Sequence, residues 1–212
     1  MRSNNRLLMR QGNQDHLKWL KKTWLAKAQS LTPVQLANEI SQVIDRLEQD
    51  RIRDPLTGAF NRALLGAILR LQIWGMILLD IDHFKSINDQ EPDGHSAGDR
   101  VLVELVKLLG EVTGSNAVIG RWGGEEFIIL IPQTDKLGLQ NVAVSVGKAV
   151  QEQLAKRAKL VRSQVTTSMG VRMARRAEKY MEVISAVDKL LYRAKNTGRN
   201  RMVTEHTVVP FG

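Results

Sequence analysis

Cysteine is missing from all 212 residues. Its absence excludes a disulfide framework, thiolate metal ligation and a cysteine nucleophile, and leaves any metal to oxygen or imidazole ligands. No apolar run is long enough to cross a bilayer, since the longest, LQIWGMILLDI, is interrupted at Asp80. The N-terminus also lacks the apolar stretch and cleavage site of a signal peptide, so the chain is expected to be cytoplasmic. Acids are scarce at the start: residues 1–30 carry Asp15 against Arg2, Arg6, Arg10, Lys18, Lys21, Lys22 and Lys27. This leader supplies most of the formal charge of +9, and the modest remainder is unexceptional, which weakens a nucleic-acid reading. No specific nucleic acid is therefore expected as a partner. What is present, 43% hydrophobic and 25% charged residues, suffices for one sizeable core.

After the leader, with Trp19 and Trp24, Ser30 or Thr32 can cap a helix and Pro33 suits its first turn. Leu36, Ile40, Val43 and Leu47 then form a helical stripe, a short stalk or a helix packed on its own domain. Asp54-Pro55 and Thr57-Gly58 break it. The spacing therefore predicts a leader and helix over 1–52 and a second domain over 53–212. In that domain the patterns predict a strand at IWGMILLDI, a polar loop at NDQEPDGHSAGD, a helix at RVLVELVKLLGEV and strands at NAVIGRW and EFIILIP. A helix over about 137–158, a strand at VTTSMGVRM and a last helix from Val183 to Lys195 follow. The fold class is α/β (α+β): a ferredoxin-like βαββαβ core with a mixed, mainly antiparallel central sheet, preceded by an N-terminal helix.

In this order Asp80 ends one strand beside the hairpin IGRWGGEEFIIL, whose tip carries Glu125. Two carboxylates sharing one space repel each other unless a cation joins them, and Mg²⁺ favours one or two carboxylates completed by substrate phosphates. Gly123 and Gly124 are expected to allow a tight turn whose amides approach a phosphate. Lys85, Lys195 and Arg199 are cations placed where a polyphosphate needs them.

The segments DPLTGAFNR, DIDHFKSIND, GHSAGD, RWGGEEF, VTTSMGV and YRAKNTGRNR, in this order from Asp54 to Met202, resemble the GGDEF family of diguanylate cyclases, here in a GGEEF form. The resemblance implies that two GTP molecules condense to cyclic di-GMP with release of pyrophosphate, across a homodimer, with Mg²⁺ or Mn²⁺. It implies that Asp80, the Ile81 carbonyl and Glu125 hold metal, that Glu125 helps deprotonate the attacking hydroxyl, and that Lys85 stabilises transition-state charge. It also implies that Asn88 and Asp99 read guanine, His95 lines the pocket, and Lys195 and Arg199 hold the triphosphate. Phe84, Gly123, Gly124 and Glu126 complete the substrate contacts.

The chain departs from the family pattern in three places. Four residues, QEPD, separate Asn88-Asp89 from Gly94-His95 where two are usual. Gly114 and Ala117 stand where many members have the Arg and Asp of a product-inhibition site, so no inhibition through that site is expected. The N-terminal fifty-odd residues are too few for a usual sensor core, and the leader is a weak candidate for contact with a membrane surface or a protein. A catalytically silent module that binds GTP or a protein is the alternative function.

Overall fold

The computed structural model describes residues 52–68, 74–132, 134–174 and 178–212. The expected stripe from Leu36 to Leu47 and the basic leader lie outside the described residues. Chain order is α1 (Arg62–Ile68), β1 (Trp74–Ile81), α2 (Phe84–Gln90), α3 (His95–Thr113), β2 (Val118–Arg121) and β3 (Glu126–Pro132). Then come α4 (Lys136–Ala149), β4 (Thr167–Met173), α5 (Tyr180–Asn196), β5 (Arg201–Val203) and β6 (Val208–Pro210). Beyond Ala149, α4 continues through a π-helical turn (Val150–Leu154) and a last turn (Ala155–Arg157). Among the described residues no helix is long and apolar enough to cross a membrane.

One sheet runs in the order β2-β3-β1-β4-β5-β6. All its pairings are antiparallel except β4 with β5. The first four strands in that order are the expected ferredoxin-like core. β1 is central and buried on both faces, which is why its sequence is a near-continuous apolar run rather than an alternation. On one face Ile77, Leu79 and Ile81 join Phe127, Ile129, Met169 and Val171 under Val101, Leu105 and Leu109 of α3 and Val146 of α4. The amphipathic helix α5 packs on the other face through Val183, Val187 and Leu191.

Glycine permits that second contact. A Cβ on Gly170 would fall on the Val187 carbonyl oxygen and lie 2.7 Å from the Leu191 amide nitrogen. Both are backbone atoms that cannot rotate aside. Gly170→Ala is therefore expected to cost about 3 kcal/mol, the upper range for overpacking, and to lower the melting temperature by roughly 6–12 °C. Thermal unfolding followed by circular dichroism checks this.

The structure differs from the sequence expectations in several elements. An unexpected helix, α2, starts at Phe84 and takes in the first three residues of the stretch read as one loop, and α3 begins at His95 rather than Arg100. Helix α5 starts at Tyr180, three residues before Val183. The hairpin β5–β6 extends the sheet where no strands were expected.

Candidate active site

Alternation along β1 sends Asp80 to the α5 face, one residue after Leu79 enters the core. Its cross-strand partners are Glu126 on β3 and Ser168 on β4. The amide of the next residue, Ile81, donates to the Glu125 carbonyl at 3.4 Å. The two acidic elements therefore meet, as the strand order required. Asp80 is only 4% exposed, and Lys195 from the last turn of α5 places its Nζ 2.7 Å from Asp80 Oδ2. Burial pushes the Asp80 carboxyl up to about 6; Lys195 opposes the rise, while Glu125 and Glu126 reinforce it. This is a carboxylate cluster with more negative charge than its single lysine balances.

The turn that carries Glu125 is held by the end of β2 and the DPLTG segment beside it. Arg121 donates through Nε and Nη2 to the Gly124 carbonyl, at 3.0 and 2.7 Å. Its Nη1 lies 3.0 Å from Asp54 Oδ1. Burial raises Asp54, but the Thr57 hydroxyl and amide and the Arg121 guanidinium outweigh it, leaving the carboxyl below its usual range. Phe60 adds to the edge of β2 by donating to Ile119 and accepting from Arg121, so the DPLTG segment and the acidic turn form one rigid corner.

The connection from Arg121 to Glu126 is a tight turn, but neither of its glycines adopts a left-handed conformation. A Cβ on Gly123 would lie 2.6 Å from the Glu126 carboxylate, the end of a flexible side chain, so a substitution there would displace that carboxylate rather than the backbone. The Gly123 amide is also committed, since it donates to the Glu126 carbonyl at 3.2 Å. Gly124 stands exposed at the tip with open space around it.

A second cluster lies where α2 meets α3. Among the described residues the buried Asn88 amide oxygen has no hydrogen-bond partner, and it packs so closely on Gly98 that a Cβ there would collide with it and lie 3.0 Å from the Phe84 ring. A buried acceptor left this way has a desolvation cost that a ligand N–H would recover. His95 and Asp99 are exposed in the opening turns of α3, and Lys85 is exposed in the first turn of α2. Among the described residues no hydrogen bond or ion pair joins Lys85, His95 or Asp99 to the carboxylate cluster. Arg199 follows α5 in a left-handed turn with Asn200, at φ of 57° and 45°.

Asp82 holds that turn, and sequence reasoning gave it no role. It is 4% exposed and accepts from the Thr166 hydroxyl at 2.8 Å, the Ser168 hydroxyl at 2.6 Å and the Asn200 amide at 3.0 Å. Its position two residues after Asp80 was the available signal. Arg121 and Asp54 were likewise inside recognised motifs but given no part.

No group of three or more His, Asp or Glu side chains able to hold a metal occurs among the described residues. A cation at Asp80 and Glu125 would thus take two carboxylates, with a backbone carbonyl and ligand oxygens completing the set, which suits Mg²⁺ better than an all-protein cage.

Comparison with known proteins gives a consistent picture. Residues 51–201 match the family model described as "Diguanylate cyclase, GGDEF domain". Diguanylate cyclase DgcM of Escherichia coli is 34% identical over 174 residues, which cover 78% of this chain and 41% of that protein. Less than half of that relative is therefore spanned. The structure of diguanylate cyclase SiaD in complex with its activator SiaC from Pseudomonas aeruginosa superposes with a TM-score of 0.68 at 31% identity, covering 96% of this chain and 78% of that one. The active GGEEF domain of a diguanylate cyclase from Vibrio cholerae has a TM-score of 0.61 at 31% identity, covering 69% of this chain and 97% of that domain.

Proposed function

The chain belongs to the GGDEF family of diguanylate cyclases, and from that premise we propose that it condenses two GTP molecules into cyclic di-GMP, in the GGEEF form of the family motif. The observation that carries this reading is the buried Asp80 carboxylate, balanced by Lys195 and set against the turn bearing Glu125 and Glu126. The likeness to an active GGEEF domain supports glutamate as a working residue at the third motif position.

Asp80, the Ile81 carbonyl and Glu125 would hold Mg²⁺ or Mn²⁺, which when bound lowers the pKa of the attacking hydroxyl and offsets charge on the leaving pyrophosphate. Glu125 takes the proton of the 3′-hydroxyl. Lys85, Lys195 and Arg199 hold the triphosphate, Lys195 exchanging its contact with Asp80 for phosphate oxygens. Asn88 offers its buried amide oxygen to the guanine N–H groups, with Asp99 opposite and Phe84 against the base. Each 3′-oxygen forms a bond to the α-phosphorus of the other nucleotide, and each bond from the α-phosphorus to the bridging oxygen breaks, so two pyrophosphates leave. One domain holds one GTP, so the reaction needs two copies of the chain, and positioning supplies much of the acceleration.

The test is to incubate the full chain with GTP and Mg²⁺ and separate the products. Cyclic di-GMP should form at a rate that rises more steeply than linearly with protein concentration below saturation of the dimer, and EDTA should stop it. GTP binding without product at any protein concentration would instead identify a silent GTP-binding regulator.

A further inference from the structure

The four residues QEPD, where two are usual, form a clasp in the structure. Glu91 is the cap residue of α2, its amide donating to the Ile87 carbonyl. Its side chain turns away from α2 and is 5% exposed. One carboxylate oxygen accepts from the Val161 amide at 2.9 Å, and the other from the Arg162 amide at 2.9 Å and the Ser163 amide at 2.8 Å. Three successive backbone N–H groups make a concave anion site, and here the chain fills it with its own glutamate. The Val161 amide first, with Arg162 and Ser163 and against the cost of burial, holds the Glu91 carboxyl at about 2.

The opening of α3 is bound to the same segment. Asp93 pairs with Arg100, and Arg100 Nε donates to the Ala158 carbonyl at 2.9 Å. Arg162 Nη1 returns to the Gln90 carbonyl at 3.3 Å. The end of α2 and the start of α3 are thus both fastened to residues 158–163. These two helices carry Asn88 and Asp99, and their contact is the tight one between Asn88 and Gly98. Helix α2 has seven residues and one fully buried side chain, Ile87, too little to hold its place alone.

We propose that the Glu91 clasp fixes the spacing of α2 and α3, and so makes Glu91 and Arg100 positioning residues for selection of the purine base. This rests on the GTP-binding reading of the site. Neither residue needs to touch the nucleotide. Loosening the clasp lets Asn88, near the clasped end of α2, drift from the base, while Lys85 in the opposite, first turn stays close to the end of β1 and Lys195 and Arg199, on other elements, keep their places. Base selectivity should fall without loss of triphosphate affinity.

The experiment measures equilibrium binding of GTP and ATP to the full chain with Mg²⁺, for the parent, Glu91→Gln and Arg100→Met. Glutamine keeps the shape but presents one acceptor and an NH₂ group to three N–H donors. The expected result is a preference for GTP over ATP reduced about tenfold, through weaker GTP binding at unchanged ATP affinity. An unchanged preference, or equal losses for both nucleotides, overturns the clasp. Should Glu91→Gln not fold, Arg100→Met is read by the same criteria. A parent protein that binds both nucleotides equally would overturn the functional reading itself.

The same contacts predict acid behaviour. A carboxyl held at about 2 against an ordinary 4.5 stabilises the fold fully above the unfolded value, and that contribution is lost as pH falls from about 4.5 toward 2. The melting-temperature gap between the parent and Glu91→Gln should be constant above pH 5 and close below pH 3.

Discussion

Glu125→Ala is expected to leave a folded, GTP-binding protein that makes cyclic di-GMP about 10³-fold more slowly, the loss that follows when one preorganised electrostatic group leaves a transition state. The geometry separates chemistry from stability. Burial raises Asp80 to about 6, Lys195 partly offsets this, and Glu125 and Glu126 add to it. Removing Glu125 therefore relieves a repulsion, and without metal the melting temperature should be unchanged or slightly higher. With Mg²⁺ the parent should gain stability with the logarithm of metal concentration over its dissociation constant, and the variant should gain less. A variant that loses activity together with 10 °C of melting temperature would show that Glu125 is a structural residue of the turn.

The second large effect is on stability. Asp82→Ala removes the acceptor of two hydroxyls and one backbone amide, leaving those donors in a largely buried corner. Hydrogen bonds to a charged acceptor are each worth about 1.5–3 kcal/mol, and orphaned donors add their desolvation cost. The two hydroxyls can rotate toward other acceptors, so less than the full sum is lost: about 3–4 kcal/mol is expected, or roughly 6–16 °C in melting temperature. Asp82→Asn, which keeps one acceptor oxygen, should lose about half. The Asn200 amide belongs to the left-handed turn that presents Arg199, so the KM for GTP should rise in Asp82→Asn more than kcat falls. Chemical denaturation and steady-state kinetics check the two parts; a loss below about 1 kcal/mol for alanine would mean that water replaces the carboxylate.

Much of this architecture is legible in the sequence because it rests on local pattern. The apolar run of β1 and the hairpin β2–β3 place Asp80 beside the acidic turn, and the register of Asp80 with Glu126 agrees. Helix α2 is not legible: it has no apolar stripe, and its place depends on Glu91 meeting amides seventy residues away. The early start of α3 is hidden because Gly98 looks like a loop residue, whereas its missing side chain makes room for Asn88. Strands β5 and β6 have three residues each, and β5 pairs in parallel with β4, a long-range choice without local signal. Asp82 and Arg121 were visible as residues, but their partners lie on segments whose adjacency only the folded chain reveals.

The two borders of the sheet bear on the proposed reaction, which would bring two copies of the chain together. At one border β2 is short and is flanked by the bridge from Phe60 to Gly120. At the other, β6 ends in Pro210, which has no amide hydrogen to offer a neighbouring strand. Neither border presents a long open ladder, so encounters between copies at high concentration are not drawn into strand-to-strand zippering. Crowding is then expected to favour productive pairing over aggregation, and the mass read by light scattering should rise to that of two copies and level off there across the protein concentrations at which turnover climbs.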